Sequence, residues 1–149
     1  MQLFLSTFQN KIDKKGRVSV PASFRAVLSE QAFQGIVVFR SLTLQAIEGF
    51  SMARMEKLSQ DLDQLDVFSQ DYEDWTASIF ADSHQLPFDS EGRVQLPEFF
   101  CTYAGITDVV AFIGRGKSFQ LWNPSTFLDY QNSARNRLKN KEHGLRAMV

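Results

Sequence analysis

Asp13-Lys14-Lys15-Gly16-Arg17-Val18-Ser19-Val20-Pro21 recurs 76 residues later as Asp89-Ser90-Glu91-Gly92-Arg93-Val94-Gln95-Leu96-Pro97. The correspondence runs outward in both directions, pairing Phe4 with Phe80, Ile12 with Phe88 and Phe24 with Phe100. Further on, Leu44-Gln45-Ala46-Ile47 resembles Phe119-Gln120-Leu121-Trp122 at an offset of 75, consistent with one lost loop residue. Two copies are too few for a solenoid, whose repeats bury a core only when several are stacked. The halves, 1–68 and 69–149, are therefore expected to pack on each other as one pseudo-symmetric domain.

Each copy reads the same way. Asp13 and Asp89 open a turn in which a carboxylate accepts from the backbone two residues on, and Gly16 and Gly92 supply a positive φ at little steric cost. The segment is thus a tight hairpin turn. Val18-Ser19-Val20 and Val94-Gln95-Leu96 then alternate apolar and polar residues, the period of a half-buried strand. Pro21 and Pro97 suit the first position of a short helix, and Gly105 ends the second such helix. Strand-rich runs follow at 36–47 and 109–122.

Helices come next. Ser51 is a candidate N-cap, and Met52, Met55, Leu58, Leu62 and Leu65 recur at spacings of three and four, a stripe for the core or a subunit contact. Asn123-Pro124 marks an equivalent start for a helix to about Leu138. A further helix over 69–81 is expected to turn Tyr72, Trp75, Ile79 and Phe80 inward. From Asn140 on, the chain is polar and expected to fray. The fold class predicted is α+β and β-rich.

With 44% hydrophobic and 22% charged residues, the chain has the balance of a globular protein. Its start has no basic segment leading into an apolar run, and no apolar stretch approaches the roughly 20 residues of a membrane span. Cys101 is the single cysteine, which permits no internal disulfide and favours an intracellular protein. Net charge is −1, yet its distribution is uneven. Five cations face two carboxylates in residues 1–30, and seven face three in residues 99–149. Between Glu48 and Glu98, twelve carboxylates face only Arg54, Lys57 and Arg93. One surface is expected to be acidic while another attracts phosphate.

Turn geometry accounts for Asp, Gly and Pro, but it does not require a guanidinium at the fifth position. Arg17 and Arg93 either brace the turn through an Asp–Arg ion pair or reach a partner. Lys14, Lys15 and Arg17 place three cations on one projecting loop, suited to phosphate or a DNA groove.

Asp13 to Arg25 resembles the first signature of the MraZ family, and Asp89 to Pro97 with Gly114 to Trp122 resembles its second signature and following hairpin. The resemblance covers nearly the whole chain in order. It implies a double-split, swapped-hairpin β-barrel of the AbrB-like kind, formed by the two intrachain repeats with peripheral helices. It further implies a ring-shaped homo-oligomer that binds repeated boxes in double-stranded DNA, usually repressing the division and cell-wall gene cluster that includes its own operon. Such a regulator is cytoplasmic and nucleoid-associated, is not an enzyme, and needs no cofactor, metal or small-molecule substrate. Lys14, Lys15 and Arg17 would contact DNA, with Arg93 secondary. Two departures bear on this: the second turn carries Ser90 and Glu91, and Cys101 stands where the first copy has Arg25. The second loop is therefore expected to be partly structural or to face another subunit. Related barrels also serve as antitoxins, so a protein-interaction module without operator binding is the alternative reading.

Other patterns resolve without a site. Ala111 to Ser118 fits a relaxed phosphate-loop pattern, but Phe119-Gln120-Leu121-Trp122 resumes strand alternation where a helix is required, so Gly114 to Ser118 reads as a hairpin turn. His84 and His143 share no metal-ligand spacing with Cys101. The acids from Asp61 to Asp74 lack the glycine and order of a calcium loop and read as a solvated face.

Overall fold

The computed structural model describes residues 2–141. Thirteen elements follow one another among them: β1 (Thr7–Lys11), β2 (Arg17–Ser19), α1 (Ala22–Leu28), β3 (Gly35–Arg40), β4 (Ile47–Phe50), α2 (Met52–Leu62), α3 (Gln70–Ser78), β5 (His84–Pro87), β6 (Arg93–Gln95), α4 (Glu98–Ala104), β7 (Val109–Gly114), β8 (Phe119–Trp122) and α5 (Pro124–Lys139). The mixed α+β class is as predicted, but the described residues are not β-rich: more of them lie in helices than in strands, because the strands are short and α2 and α5 are long. Residues 142–149, with His143 and most of the segment expected to fray, lie outside the described residues.

Six strands make one antiparallel sheet in the order β1-β7-β8-β4-β3-β5, and β2 and β6 make a separate two-stranded ribbon. These pairings describe an open sheet and a ribbon, with no closed barrel among the described residues. Strands from the two repeats are interleaved. β1 pairs with β7, β5 with β3, β4 with β8 and β2 with β6, so each of these pairs takes one strand from residues 1–68 and one from 69–149.

Alternation along the strands sorts the core into two sides. Ile36, Val38, Ile47, Val110, Phe112, Phe119 and Leu121 turn to one face, where Phe24 and Leu28 of α1, Phe100 and Ala104 of α4, and Val18 and Val94 of the ribbon meet them. The opposite face carries Val37 and Phe39 beneath Met55 of α2 and Ile79, and Ala111, Ile113 and Trp122 beneath Phe127 and Tyr130 of α5. Between these two outer clusters lies a polar pair: buried Gln120 donates from Nε2 to the Glu48 carboxylate at 3.0 Å and accepts from Trp122 Nε1 at 2.8 Å.

Capping follows the sequence closely. The Ser51 hydroxyl accepts from the Arg54 amide, the Ser69 hydroxyl from Tyr72, and the Asn123 side chain from Ser125 and Thr126. Gly105 takes φ 67 and closes α4. Pro21 and Pro97 depart by one residue. Each is the cap itself, with ψ 140 and 145, and the helix begins at the next residue. Pro21 still helps to start its helix, because its carbonyl accepts from the Phe24 and Arg25 amides.

The inward set expected near α3 is only partly inward. Ile79 is buried and Phe80 packs beside it, but Trp75 remains 44% exposed. Helix α3 stops at Ser78, and Ile79 and Phe80 reach the sheet from the turn beyond it, while Trp75 joins no apolar cluster among the described residues. Leu65 likewise falls outside α2, which ends at Leu62.

Candidate nucleic-acid interface

The two turns are built alike, atom for atom. Asp13 Oδ1 accepts from the amides of Lys15 and Arg17, each at 2.9 Å, and its Oδ2 accepts from Arg17 Nε at 2.7 Å. Asp89 Oδ1 accepts from Glu91 at 2.8 Å and Arg93 at 2.9 Å, and its Oδ2 accepts from Arg93 Nε at 2.9 Å. In each turn the glycine amide donates to the aspartate carbonyl, and Gly16 and Gly92 hold φ 84 and 76. A Cβ on Gly16 would also stand 2.5 Å from the Leu96 carbonyl oxygen, so the position demands glycine twice over.

The ribbon locks these turns to each other. Arg17 stands opposite Gln95 and Ser19 opposite Arg93, which puts the turns at opposite ends of a three-residue pairing. Each turn also hydrogen-bonds the strand of the other repeat: the Leu96 amide donates to Gly16 O at 2.8 Å and the Val20 amide to Gly92 O at 3.2 Å. Gln95 Nε2 adds a bond to Lys15 O at 2.9 Å. A loop tied down this way gives up little further conformational entropy on binding.

The braced ion pair foreseen as one reading of the arginines is present in both turns, and it leaves the two unequal. Arg17 spends only Nε on Asp13, and its remaining guanidinium nitrogens bond nothing among the described residues. Arg93 is drawn by Asp89 through Nε and lies 3.7 Å from the Glu91 carboxylate through Nη2. Lys14 and Lys15 are exposed. The first turn therefore carries three cations against one carboxylate, and the second one cation against two.

An open groove of about 940 Å³ runs beside the ribbon and brings Lys14, Lys15, Arg17 and Arg93 to a single concavity, with Val94, Leu96 and Ile106 on its apolar floor. Asp13, Gly16 and Asp89 also line it, whereas Gly92 does not. Cys101 reaches the same groove from α4. Its thiol is pushed up by burial and further by the Glu98 carboxylate, so it sits there as a small apolar side chain.

Arg25 is the residue that sequence reasoning passed over. Its Nε donates to Val20 O at 3.0 Å, and its guanidinium carbon lies 2.8 Å from where a Cβ of Gly92 would stand. A cation from the first repeat thus rests on the acidic turn of the second. The mismatch of Arg25 with Cys101 in the repeat alignment was the signal that could have found it.

Both aspartates are held below the ordinary carboxyl range. For Asp13 the main cause is the Arg17 amide, helped by the Arg17 side chain; for Asp89 it is the Arg93 amide, then that of Glu91. A carboxyl lowered on folding adds stability above its unfolded value of about 3.9 and loses it as pH falls through the folded value. As far as these groups are concerned, the melting temperature stays level from neutrality to about pH 5 and drops below about pH 4. In the Asp13→Asn, Asp89→Asn double variant, thermal melts across pH are expected to show a shallower acid limb.

Known proteins resemble the chain along its length. The family described as "MraZ protein, putative antitoxin-like" matches residues 3–76 and again 79–147. A protein named "Transcriptional regulator MraZ" from Gluconobacter oxydans (strain 621H) is 46% identical over 142 residues, covering 93% of this chain and 87% of its own. Its namesake from Rickettsia bellii (strain OSU 85-389) is 45% identical over 147 residues, 98% of each chain. Another, from Pelagibacter ubique (strain HTCC1062), is 44% identical over 133 residues, 89% of this chain and 86% of its own.

Proposed function

The chain belongs to the MraZ family, and on that premise we propose that it is a transcriptional regulator that binds double-stranded DNA through the turn at Asp13 to Arg17. One observation carries the reading: Lys14, Lys15 and Arg17 stand on a turn whose backbone is already locked, at the rim of a groove that also holds Arg93. Turn rigidity orients the cations, and their charge suits phosphate oxygens and the acceptors of guanine in the major groove.

Asp13 and Gly16 shape the first contact loop. Asp89 and Gly92 shape a second, where Arg93 is largely committed to carboxylates and serves in a supporting role. The target is repeated boxes in promoter DNA, chief among them those of the division and cell-wall cluster and the chain's own operon, and the effect is repression. The working particle is a ring-shaped homo-oligomer at the nucleoid, in the cytoplasm. One turn with three cations binds weakly in salt, and several such turns on repeated boxes convert weak contacts into avidity. The two repeats act as one pseudo-symmetric domain, and the ribbon folds over the sheet as a swapped-hairpin barrel. The interleaved strand pairs support the first statement, and the packing of Val18 and Val94 of the ribbon on one face of the sheet supports the second.

Purified protein is to be titrated against labelled DNA from upstream of its own gene at fixed salt, with excess unrelated competitor. A complex that survives the competitor is expected. Equal affinity for a scrambled fragment of the same length overturns sequence-specific binding. The family description favours a second reading, a protein-interaction module. A partner retained from nuclease-treated lysate, together with no retention of the upstream DNA, decides for it.

A further inference from the structure

The loop between α2 and α3 leaves Phe68 90% exposed, with Val67 49% and Trp75 44% exposed nearby in the chain. Phe68 immediately precedes the N-cap Ser69. From there an apolar side chain ordinarily packs against the fourth helical residue, but that residue is Glu73, which offers it nothing apolar. The surroundings are acidic. Asp66, Asp71, Glu73 and Asp74 are exposed, and no Lys or Arg occurs between Lys57 and Arg93.

The end of α5 is its opposite. Phe127 and Tyr130 hold the first turns against Trp122, but beyond Tyr130 no residue of the helix joins an apolar cluster. Leu138 is 62% exposed there, among exposed Arg135, Arg137 and Lys139. A helical arm of about nine residues is marginal in water without tertiary support.

We propose that the basic arm of α5 in one copy of this chain docks on the acidic, apolar α2–α3 flank of the next copy. The inference rests on the reading that several copies act together and names the surfaces that join them. Charge selects the arrangement: two acidic flanks repel, as do two basic arms, and only the unlike pair brings Leu138 against Phe68 and Trp75 with opposite charges around them. One chain does not satisfy itself. Helix α2 follows β4 and covers β3, while α5 follows β8 and lies against β7 on the other side of the β4·β8 centre. No hydrogen bond or ion pair joins α5 to α2 or α3 among the described residues. Different surfaces meet, so the contact is head-to-tail, the type that closes into a ring or runs on as a filament.

Two charge-reversed proteins test this by light scattering. One carries Arg135→Glu, Arg137→Glu and Lys139→Glu; the other carries Asp71→Lys, Glu73→Lys and Asp74→Lys. Each alone is expected to lose self-association at least tenfold and run near the 17.0 kDa of a single chain. Their equimolar mixture is expected to regain the wild-type mass, because acidic arms then meet basic flanks and basic arms acidic flanks in alternation. Wild-type mass from either variant alone, or a mixture that stays apart, overturns the contact and leaves shared action on DNA standing. A wild-type chain at 17.0 kDa overturns both. Should a reversed protein lose its circular-dichroism spectrum, Phe68→Ser decides. At an exposed loop site it leaves the fold intact, and assembly weakened several-fold supports the contact while unchanged assembly overturns it.

Discussion

Replacing Lys14, Lys15 and Arg17 together with alanine is expected to lower affinity for the upstream DNA by at least about a hundredfold at physiological salt. Each phosphate no longer neutralised also flattens the dependence of log affinity on log salt by about 0.9. Lys14 and Lys15 are exposed, so their removal leaves packing untouched. Arg17 gives up its bond to Asp13, but the Lys15 and Arg17 amides still hold that carboxylate and preserve the turn. Melting temperature is therefore expected to move by no more than a few degrees while binding collapses. In an assembled particle the effect multiplies with the number of turns engaged, so the salt slope reports how many copies touch one duplex. Arg93→Ala is expected to do less, since that guanidinium already faces Asp89 and Glu91. Glu91→Lys is not expected to abolish binding. An unchanged affinity in the triple variant, read by gel shift or anisotropy at two salt concentrations, removes the first turn as the DNA-binding element.

Phe24→Ala is expected to be the most damaging single core substitution. The ring is fully buried and stands 5.2 Å from Phe4, 5.6 Å from Phe8, 6.3 Å from Phe112 and 5.3 Å from Phe119, centroid to centroid. It thereby joins α1 to the amino-terminal segment, β1, β7 and β8, elements drawn from both repeats. Removing a buried phenylalanine costs about 3–5 kcal/mol, against a total stability of roughly 5–15 kcal/mol for a domain. Urea unfolding is the measurement, with a fall in melting temperature on the order of 10 °C beside it. Phe24→Leu keeps most of the volume and is expected to cost about 1–1.5 kcal/mol. A cost under about 1 kcal/mol for Phe24→Ala contradicts a core centred on this ring.

Local chemistry was the legible part of this chain. Asp, Gly and Arg at their spacing identified both turns, Ser51 and Asn123 both caps, and the alternation resuming at Phe119 separated a hairpin from a phosphate loop. Those readings depend on residues within a few positions of one another. Pairing was not legible, because a period of two names a strand's faces and says nothing about its neighbour; that β1 lies beside β7 is decided by the shared core. Trp75 was misplaced for a related reason. Periodicity marks an apolar face, but whether something covers it depends on a second element, and among the described residues no apolar cluster takes in Trp75. Arg25 escaped because its role lies in the other repeat, on Gly92, a juxtaposition no local pattern contains.

The interleaving of strands has a consequence for how the molecule is made. Thr7 pairs with Ile113 and Lys11 with Val109, so the first strand to leave the ribosome waits about a hundred residues for its neighbour. Until then the nascent amino-terminal half carries open hydrogen-bonding edges and an uncovered phenylalanine cluster, the features that invite association with the wrong chain. Synthesis of the second half is thus a precondition for the first half's complete strand pairing, and a ribosome that stalls midway leaves a fragment in which β1, β2 and one edge each of β3 and β4 lack their native partners.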